Sequence, residues 1–265
     1  MLTDTHCHLD FQIFDQDRHQ ILERAAQHKV TRIINPGTNL ETSKAALHMS
    51  TQFTSVSAAV GIHPNEDLDL DKLTLQKLRT LSNHPNVVAI GEIGLDYFRN
   101  ITPPDRQKHR FRVQLDLASE LGLPVIVHCR DAYEDAINII SEWQSSMGSK
   151  SNPGVFHSFS GLETHMNTIV DKGFYIGVTG SITFNKSSNL RAIVADLPLK
   201  QILIETDAPF LSPQPNRGKR NEPAFVRWVA DKIAEIKSVT VDEVANSSTH
   251  NALTLFDWNN QYVQT

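Results

Sequence analysis

Cysteine is nearly absent from this 265-residue sequence, which holds only Cys7 and Cys129. Two thiols cannot build a disulfide scaffold or an all-cysteine zinc site. The opening residues MLTDTHCHLD contain no basic stretch followed by an apolar one, so the cytoplasm is the expected compartment. Long apolar runs are missing as well. The longest are pieces such as Leu123 to His128, far short of the ~18 residues that a membrane helix needs, and no membrane association is expected. Positive charge is not in excess: 25 Lys and Arg against 30 Asp and Glu give a formal charge of −5, which excludes a basic nucleic-acid coat. An apolar content of 40% excludes a disordered tail protein. No fixed-period repeat, low-complexity tract or Pro/Gly/Ser-rich linker divides the chain, so residues 1–265 are expected to form one domain.

What is present is an alternation of short β-branched runs with longer segments of helical periodicity, the pattern of repeated βα units around a parallel sheet. Eight runs read as strands: Leu2–Thr5, Val30–Asn35, Thr54–Val60, Val87–Gly91, Pro124–Val127, Gly154–Phe156, Phe174–Val178 and Gln201–Glu205. Segments between them carry apolar residues three and four apart, as in Phe111, Leu115, Ala118 and Leu121, and read as covering helices. Eight units of roughly 33 residues match a single-domain α/β fold, the TIM-like (β/α)8 barrel. An open doubly wound sheet is the rival, but no G-x-G-x-x-G follows any strand. Val241–Phe256 reads as a helix closing the barrel bottom, and Trp228, Val229 and Ile233 read as core.

Potential metal ligands fall at the C-terminal ends of these strands. His6 and His8 flank Cys7, and alternation along a strand points both imidazoles to one face and the thiol to the other. Glu92, His128, His157 and Asp207 each follow an apolar run. In a parallel barrel all such ends share the face where active sites are built, so residues scattered from 6 to 207 converge. A single histidine ending a buried strand is commonly satisfied by a backbone carbonyl. Four imidazoles and two carboxylates crowded together without a cation would instead bury unpaired polar groups at a cost of several kcal/mol. Nitrogen and carboxylate donors without thiolate suit Mg, Mn, Zn, Fe or Co. Six donors exceed the need of one ion, which points to two divalent ions about 3.5–4 Å apart sharing a carboxylate. The expected partition puts His6, His8 and Asp207 on one ion, His128 and His157 on the other, and Glu92 between them. Such a pair activates water for hydrolysis, with Asp207 as a second candidate role, that of general base. His63, before Pro64 at the end of the third strand, is either a group that orients substrate or shuttles a proton, or a turn residue.

Six blocks in this order, Asp4-Thr5-His6-Cys7-His8-Leu9-Asp10, Gly61-Ile62-His63-Pro64, Gly91-Glu92-Ile93-Gly94-Leu95-Asp96-Tyr97, Val127-His128-Cys129-Arg130-Asp131-Ala132, His157-Ser158-Phe159-Ser160-Gly161 and Glu205-Thr206-Asp207-Ala208-Pro209, closely resemble the TatD family of metal-dependent deoxyribonucleases. The likeness spans nearly the whole chain. It implies a TIM-like barrel, divalent metals on His6, His8, Glu92, His128, His157 and Asp207, and hydrolysis of phosphodiesters.

A net charge of −5 argues against a broad phosphate-binding stripe, so contacts to a DNA substrate must be local. Arg130 and the loop residues Lys219 and Arg220 are the candidate cations, with Tyr97 and Phe98 as rings able to stack a base. Arg130 could equally pair with Asp131 or Glu134, and the loop could be solvated. Gripping a few phosphates suits strand ends or short single strands, hence exonuclease-like action. Two alternatives stand beside this reading: hydrolysis of an amide or aminoacyl ester by the same kind of centre, and a barrel that binds nucleic acid without turnover. Many amide-cleaving barrels bridge their ions with a modified lysine on the fourth strand, where this sequence has Glu92.

Overall fold

A computed structural model describes residues 1–68, 70–99, 101–147, 154–214 and 216–258. Its strands are β1 (Leu2–Asp4), β2 (Val30–Pro36), β3 (Val56–Val60), β4 (Val87–Asp96), β5 (Val125–Arg130), β6 (Gly154–Phe156), β7 (Tyr175–Val178) and β8 (Ile202–Ile204). They form one parallel sheet in the order of the chain. Between them run α1 (Arg18–Gln27), α2 (Leu40–Gln52), α3 (Lys72–Ser82), α4 (Pro104–Leu121), α5 (Tyr133–Met147), α6 (Glu163–Asp171) and α7 (Ser188–Asp196), followed by α8 (Val226–Lys237) and α9 (Val241–Leu255). Parallel neighbours cannot be joined by tight hairpins, so each crossover becomes a helix lying on the sheet. Local signals fix the helix ends. Asn39 accepts from the backbone of Glu41 and Thr42 to start α2, and Thr240 and Glu243 form a reciprocal cap on α9. Gly122, at φ 68°, ends α4.

The sheet closes on itself at the seam between β1 and β8. Thr5 N–H donates to Ile204 O (3.2 Å), Asp207 N–H to His6 O (2.8 Å) and His8 N–H to Ala208 O (2.9 Å). Beneath the seam, the buried Asp4 carboxylate takes the backbone N–H (2.9 Å) and hydroxyl (2.6 Å) of Thr206. The barrel is thus a TIM-like (β/α)8 barrel whose last bonds are made by the segments that carry His6, His8 and Asp207.

One apolar set fills the space between sheet and helices, and a second occupies the barrel interior. The interior set includes Ile34, Val88, Ile126, Val155 and Leu203, and is stopped at one end by Leu255, Phe256 and Trp258 from the C-terminal helix and its extension. Trp258 is buried and its indole N–H donates to Ser57 Oγ at 2.9 Å, satisfying the one polar atom of the plug. Val229 and Ile233 are buried as the periodicity requires, but Trp228 is 41% exposed and does not belong to the core. The buried stripe of α8 is Val226, Val229, Ala230 and Ile233, and a residue two positions after Val226 falls on the far side of that stripe. Among the described residues no helix is long and apolar enough to cross a membrane.

Strand β4 differs most from the sequence pattern. The apolar run ends at Gly91, yet the strand continues through Glu92 to Asp96, and β5 likewise runs on to Arg130. The extension depends on Gly94. Its φ is 137°, and a Cβ there would lie 2.0 Å from His128 O, so β4 and β5 can approach only where the side chain is a hydrogen. Gly94→Ala is expected to cost at least ~3 kcal/mol, combining a disfavoured backbone conformation with a backbone clash. A thermal melt of the variant checks this, and a melting temperature equal to that of the parent would contradict it.

Candidate metal centre

The barrel rim assembles the six sequence-predicted ligands around the carboxylate of Glu92. Glu92 Oε2 lies 3.3 Å from His6 Nε2 and 3.8 Å from His8 Nε2. Its other oxygen, Oε1, lies 2.7 Å from His128 Nδ1, 2.9 Å from His157 Nε2 and 3.4 Å from His63 Nε2. Asp207 Oδ1 completes the first corner, 3.8 Å from His6 Nε2 and 3.6 Å from His8 Nε2. Asp207 sits at φ 55°, in the left-handed region, three residues past the end of β8.

Three further carboxylates brace these groups. Asp96 Oδ2 lies 3.1 Å from His128 Nε2 and accepts from Asn65 Nδ2 at 2.8 Å, while its Oδ1 accepts from Arg99 N–H at 3.0 Å. Glu205 lies 3.6 Å from His157 Nδ1, accepts from Ser158 N–H and takes the hydroxyl of Thr5 at 3.3 Å. Asp4 fixes Thr206, the neighbour of Asp207. Orienting partners of this kind set which ring nitrogen faces a metal. None of the three was singled out from the sequence, although strand periodicity offered a signal: Asp96 is four residues beyond Glu92 on the same face, and Glu205 two before Asp207. Acidic and imidazole donors also cluster as His63–Glu92–His128 and His6–His157–Glu205, so His63 and Glu205 join the set able to hold an ion.

Electrostatics explain how so many charges share a buried rim. Burial opposes ionisation of Glu92, yet His157, His63, His6 and the hydrogen bond to His128 hold its carboxyl well below the ordinary range. Burial likewise opposes charge on His157, but Glu92 and Glu205 raise it well above the usual imidazole value. His128 is raised against burial by Asp96 and Glu92, and His8 by Asp207 and Glu92. His6 is lowered by burial and by His157. His63 is pushed down to about 4 by burial and by His128. Protonated imidazoles are therefore the counter-charges when cations are not bound.

That arrangement leaves bonds unmade. His6 Nε2 and His8 Nε2 face each other at 3.3 Å, where at most one proton fits between them, and among the described residues the buried Nδ1 atoms of His6, His8 and His157 have no hydrogen-bond partner. Each neutral imidazole offers one lone pair to a divalent cation and keeps its proton on the other ring nitrogen, so the residues present fit such ions.

The residues expected to hold substrate are placed less uniformly. Arg130 is exposed and its guanidinium lies over the ring of Phe98, 3.8 Å from the centroid, rather than against Asp131 or Glu134. Tyr97 is half-buried and its hydroxyl donates to Asp135 at 2.7 Å, which ties its ring to α5. Lys219 is exposed in a turn closed by its N–H to Asn216 O. Arg220 departs from the expectation: it clamps Asp17, at 2.9 Å through Nη1, and donates to Ile13 O at 2.7 Å, so its charge is used to pin the loop to the start of α1. Both cysteines are buried, and burial pushes their thiols up, as suits packing residues.

Metal binding must compete with protons here. His8, His128 and His157 titrate above the ordinary imidazole value when no cation is bound, and each must give up its proton to offer a lone pair. Apparent metal affinity is therefore expected to fall as pH drops through those raised values, by up to about tenfold per unit for each proton displaced, and to level off above them. Titration calorimetry in buffers of different ionisation enthalpy reads the protons released. Binding without proton release near neutral pH would contradict this account.

Comparison with known proteins follows the same geometry. The family model for TatD-related DNases matches residues 3–257. The chain is 41% identical over 256 residues to the uncharacterized metal-dependent hydrolase YabD of Bacillus subtilis (strain 168), covering 97% of this chain and 99% of that one. It is 34% identical over 251 residues to the 3'-5' ssDNA/RNA exonuclease TatD of Salmonella typhimurium, covering 92% and 94%. Among solved structures, the TatD homologue YjjV of Escherichia coli K12 superposes with a TM-score of 0.90 at 34% identity, covering 97% and 98%. A match that runs from the first strand past the last helix leaves no part of the barrel unaccounted for: this chain belongs to the TatD-related DNase family.

Proposed function

We propose that this protein is a divalent-metal-dependent phosphodiesterase that removes nucleotides from the ends of DNA, acting on short or single-stranded termini, through a two-ion centre bridged by Glu92. The observation that carries this reading is the division of the Glu92 carboxylate, one oxygen toward His6 and His8 and the other toward His128 and His157. A carboxylate shared in this way is the usual bridge between paired ions. The relatives named as a metal-dependent hydrolase and as a single-strand exonuclease point to the same chemistry.

Divalent ions bound there supply Lewis acidity and lower the pKa of water from 15.7 toward about 7. The chain's own residues do the rest. Asp207, half-buried yet held ionised chiefly by His8 and the neighbouring imidazoles, stands ready to take the proton of the attacking water through Oδ1. His63 accepts from Asn65 N–H through Nδ1 (3.0 Å), so its neutral ring carries the proton on Nε2 and can donate a hydrogen bond into the centre to orient a substrate oxygen. Arg130 on its Phe98 platform and Lys219 provide point contacts to backbone phosphates, and the Tyr97 ring lies beside that platform in sequence. Few cations on an acidic protein favour a chain end over a long duplex.

Chelation is expected to abolish hydrolysis of linear single-stranded DNA, and Mg, Mn or Zn to restore it, whereas closed-circular DNA resists. Gel analysis of labelled substrates measures both. Activity that survives chelation would oppose the metal mechanism; equal loss of linear and circular DNA would oppose the end preference. Faster turnover of an amide or aminoacyl ester in the same assay would replace the phosphodiester reading altogether.

A further inference from the structure

Beside the His8–Asp207 corner lies a groove of about 560 Å³ whose lining includes Phe11, Ile13, Glu41, Thr42 and Phe210. Its two aromatic rings are placed by the same device. Phe11 N–H donates to His8 O at 3.2 Å, and Phe210 N–H donates to Asp207 O at 2.9 Å. Each ring therefore follows a candidate ligand by three residues and is tied to it by a closed turn. The Phe11 ring lies 4.8 Å from that of His8 in a stacked arrangement, and Phe210 stands edge-on to both, 6.0 Å from Phe11 and 6.3 Å from His8. Asn221 Nδ2 donates to Thr206 O (2.9 Å) and to Phe210 O (2.6 Å), which fixes the second turn. Despite this anchoring, Phe210 is 49% exposed and Ile13 55% exposed. Aromatic surface held rigid and open beside a hydrolytic centre calls for an occupant.

The lining excludes a phosphate. It contains Asp10 and Glu41 and no lysine or arginine, so an anion there would meet only like charge. A flat, uncharged, π-faced group suits the rings, and carboxylate and hydroxyl oxygens at the edge accept hydrogen bonds from ring amino groups. The volume lies in the range of ordinary small-molecule pockets.

We propose that this groove is the subsite for the nucleobase of the terminal nucleotide, with Phe210 and Phe11 as its stacking surface and Glu41 at its edge. The proposal rests on the phosphodiesterase reading above and adds to it where the leaving nucleotide sits. The groove itself then makes no phosphate contact, and the stacked pair Arg130 and Phe98, which follow His128 and Glu92 in the chain, lies outside its lining.

The test compares single-stranded oligonucleotides whose terminal nucleotide either carries its base or is abasic, using the metal-loaded full-length protein and the variants Phe210→Ala and Phe98→Ala. The parent protein is expected to favour the base-bearing end by about tenfold in kcat/KM, the size of one aromatic stacking contact. In Phe210→Ala that ratio collapses toward one, and Phe210→Trp restores it. Phe98→Ala lowers turnover of both substrates while keeping the ratio. A ratio preserved in Phe210→Ala, or collapsing in Phe98→Ala instead, overturns the assignment while leaving the hydrolase reading intact. Failure of the parent protein to cleave either oligonucleotide with any added divalent metal removes the phosphodiesterase reading and this subsite with it.

Discussion

A single buried anion organises this protein. The Glu92 carboxylate is almost wholly withdrawn from solvent, where an isolated charge costs far more than a domain's margin of stability. It survives because imidazoles from four separate segments face it: His6, His63, His128 and His157. His6 and His157 are buried in turn, His63 and His128 half-buried, and each needs an acid or a cation for its own nitrogen. The rim is therefore a mutual arrangement in which no member is tolerable alone. A protein that wanted only stability would fill this space with leucine and isoleucine, as its lower barrel does.

The fold serves that arrangement at two places. At the seam, backbone bonds between the segments after β1 and β8 bring His6 and His8 to Asp207, and Asp4 locks Thr206 beneath them. On the opposite side, glycine at position 94 lets β4 and β5 come together so that Asp96 can brace His128. The outer helices and the Trp258 plug hold these strands at a fixed radius. The geometry of the candidate ligands thus follows from closure, and closure from the packing of two apolar layers.

Much of this was legible in the sequence because it rests on short-range pattern. Runs of β-branched residues marked all eight strands, and a histidine or carboxylate directly after a run marked the rim. What could not be read depends on distance in the chain or on irregular backbone. Glu92 and Asp96 look like the end of a strand because polar residues interrupt the apolar run, although the ladder continues through them. Arg220 looks like a phosphate ligand in a Gly/Lys/Arg loop, but its partner Asp17 lies 203 residues away, and no local pattern announces such a pair. Trp228 reads as core by composition alone, while the helical stripe places it outside. Asp4 and Glu205 were visible as letters within the quoted motifs, yet their bracing roles emerge only when Thr206 and His157 are beside them.

The central claim is that Glu92 stands between two cations. Electron paramagnetic resonance of the protein loaded to saturation with Mn(II) addresses it most directly, because two ions that share a carboxylate couple their spins and isolated ions do not. The account predicts a coupled spectrum for the parent protein and an uncoupled one, with fewer ions bound, for Glu92→Gln. A saturated parent protein that shows only isolated Mn(II) would contradict it.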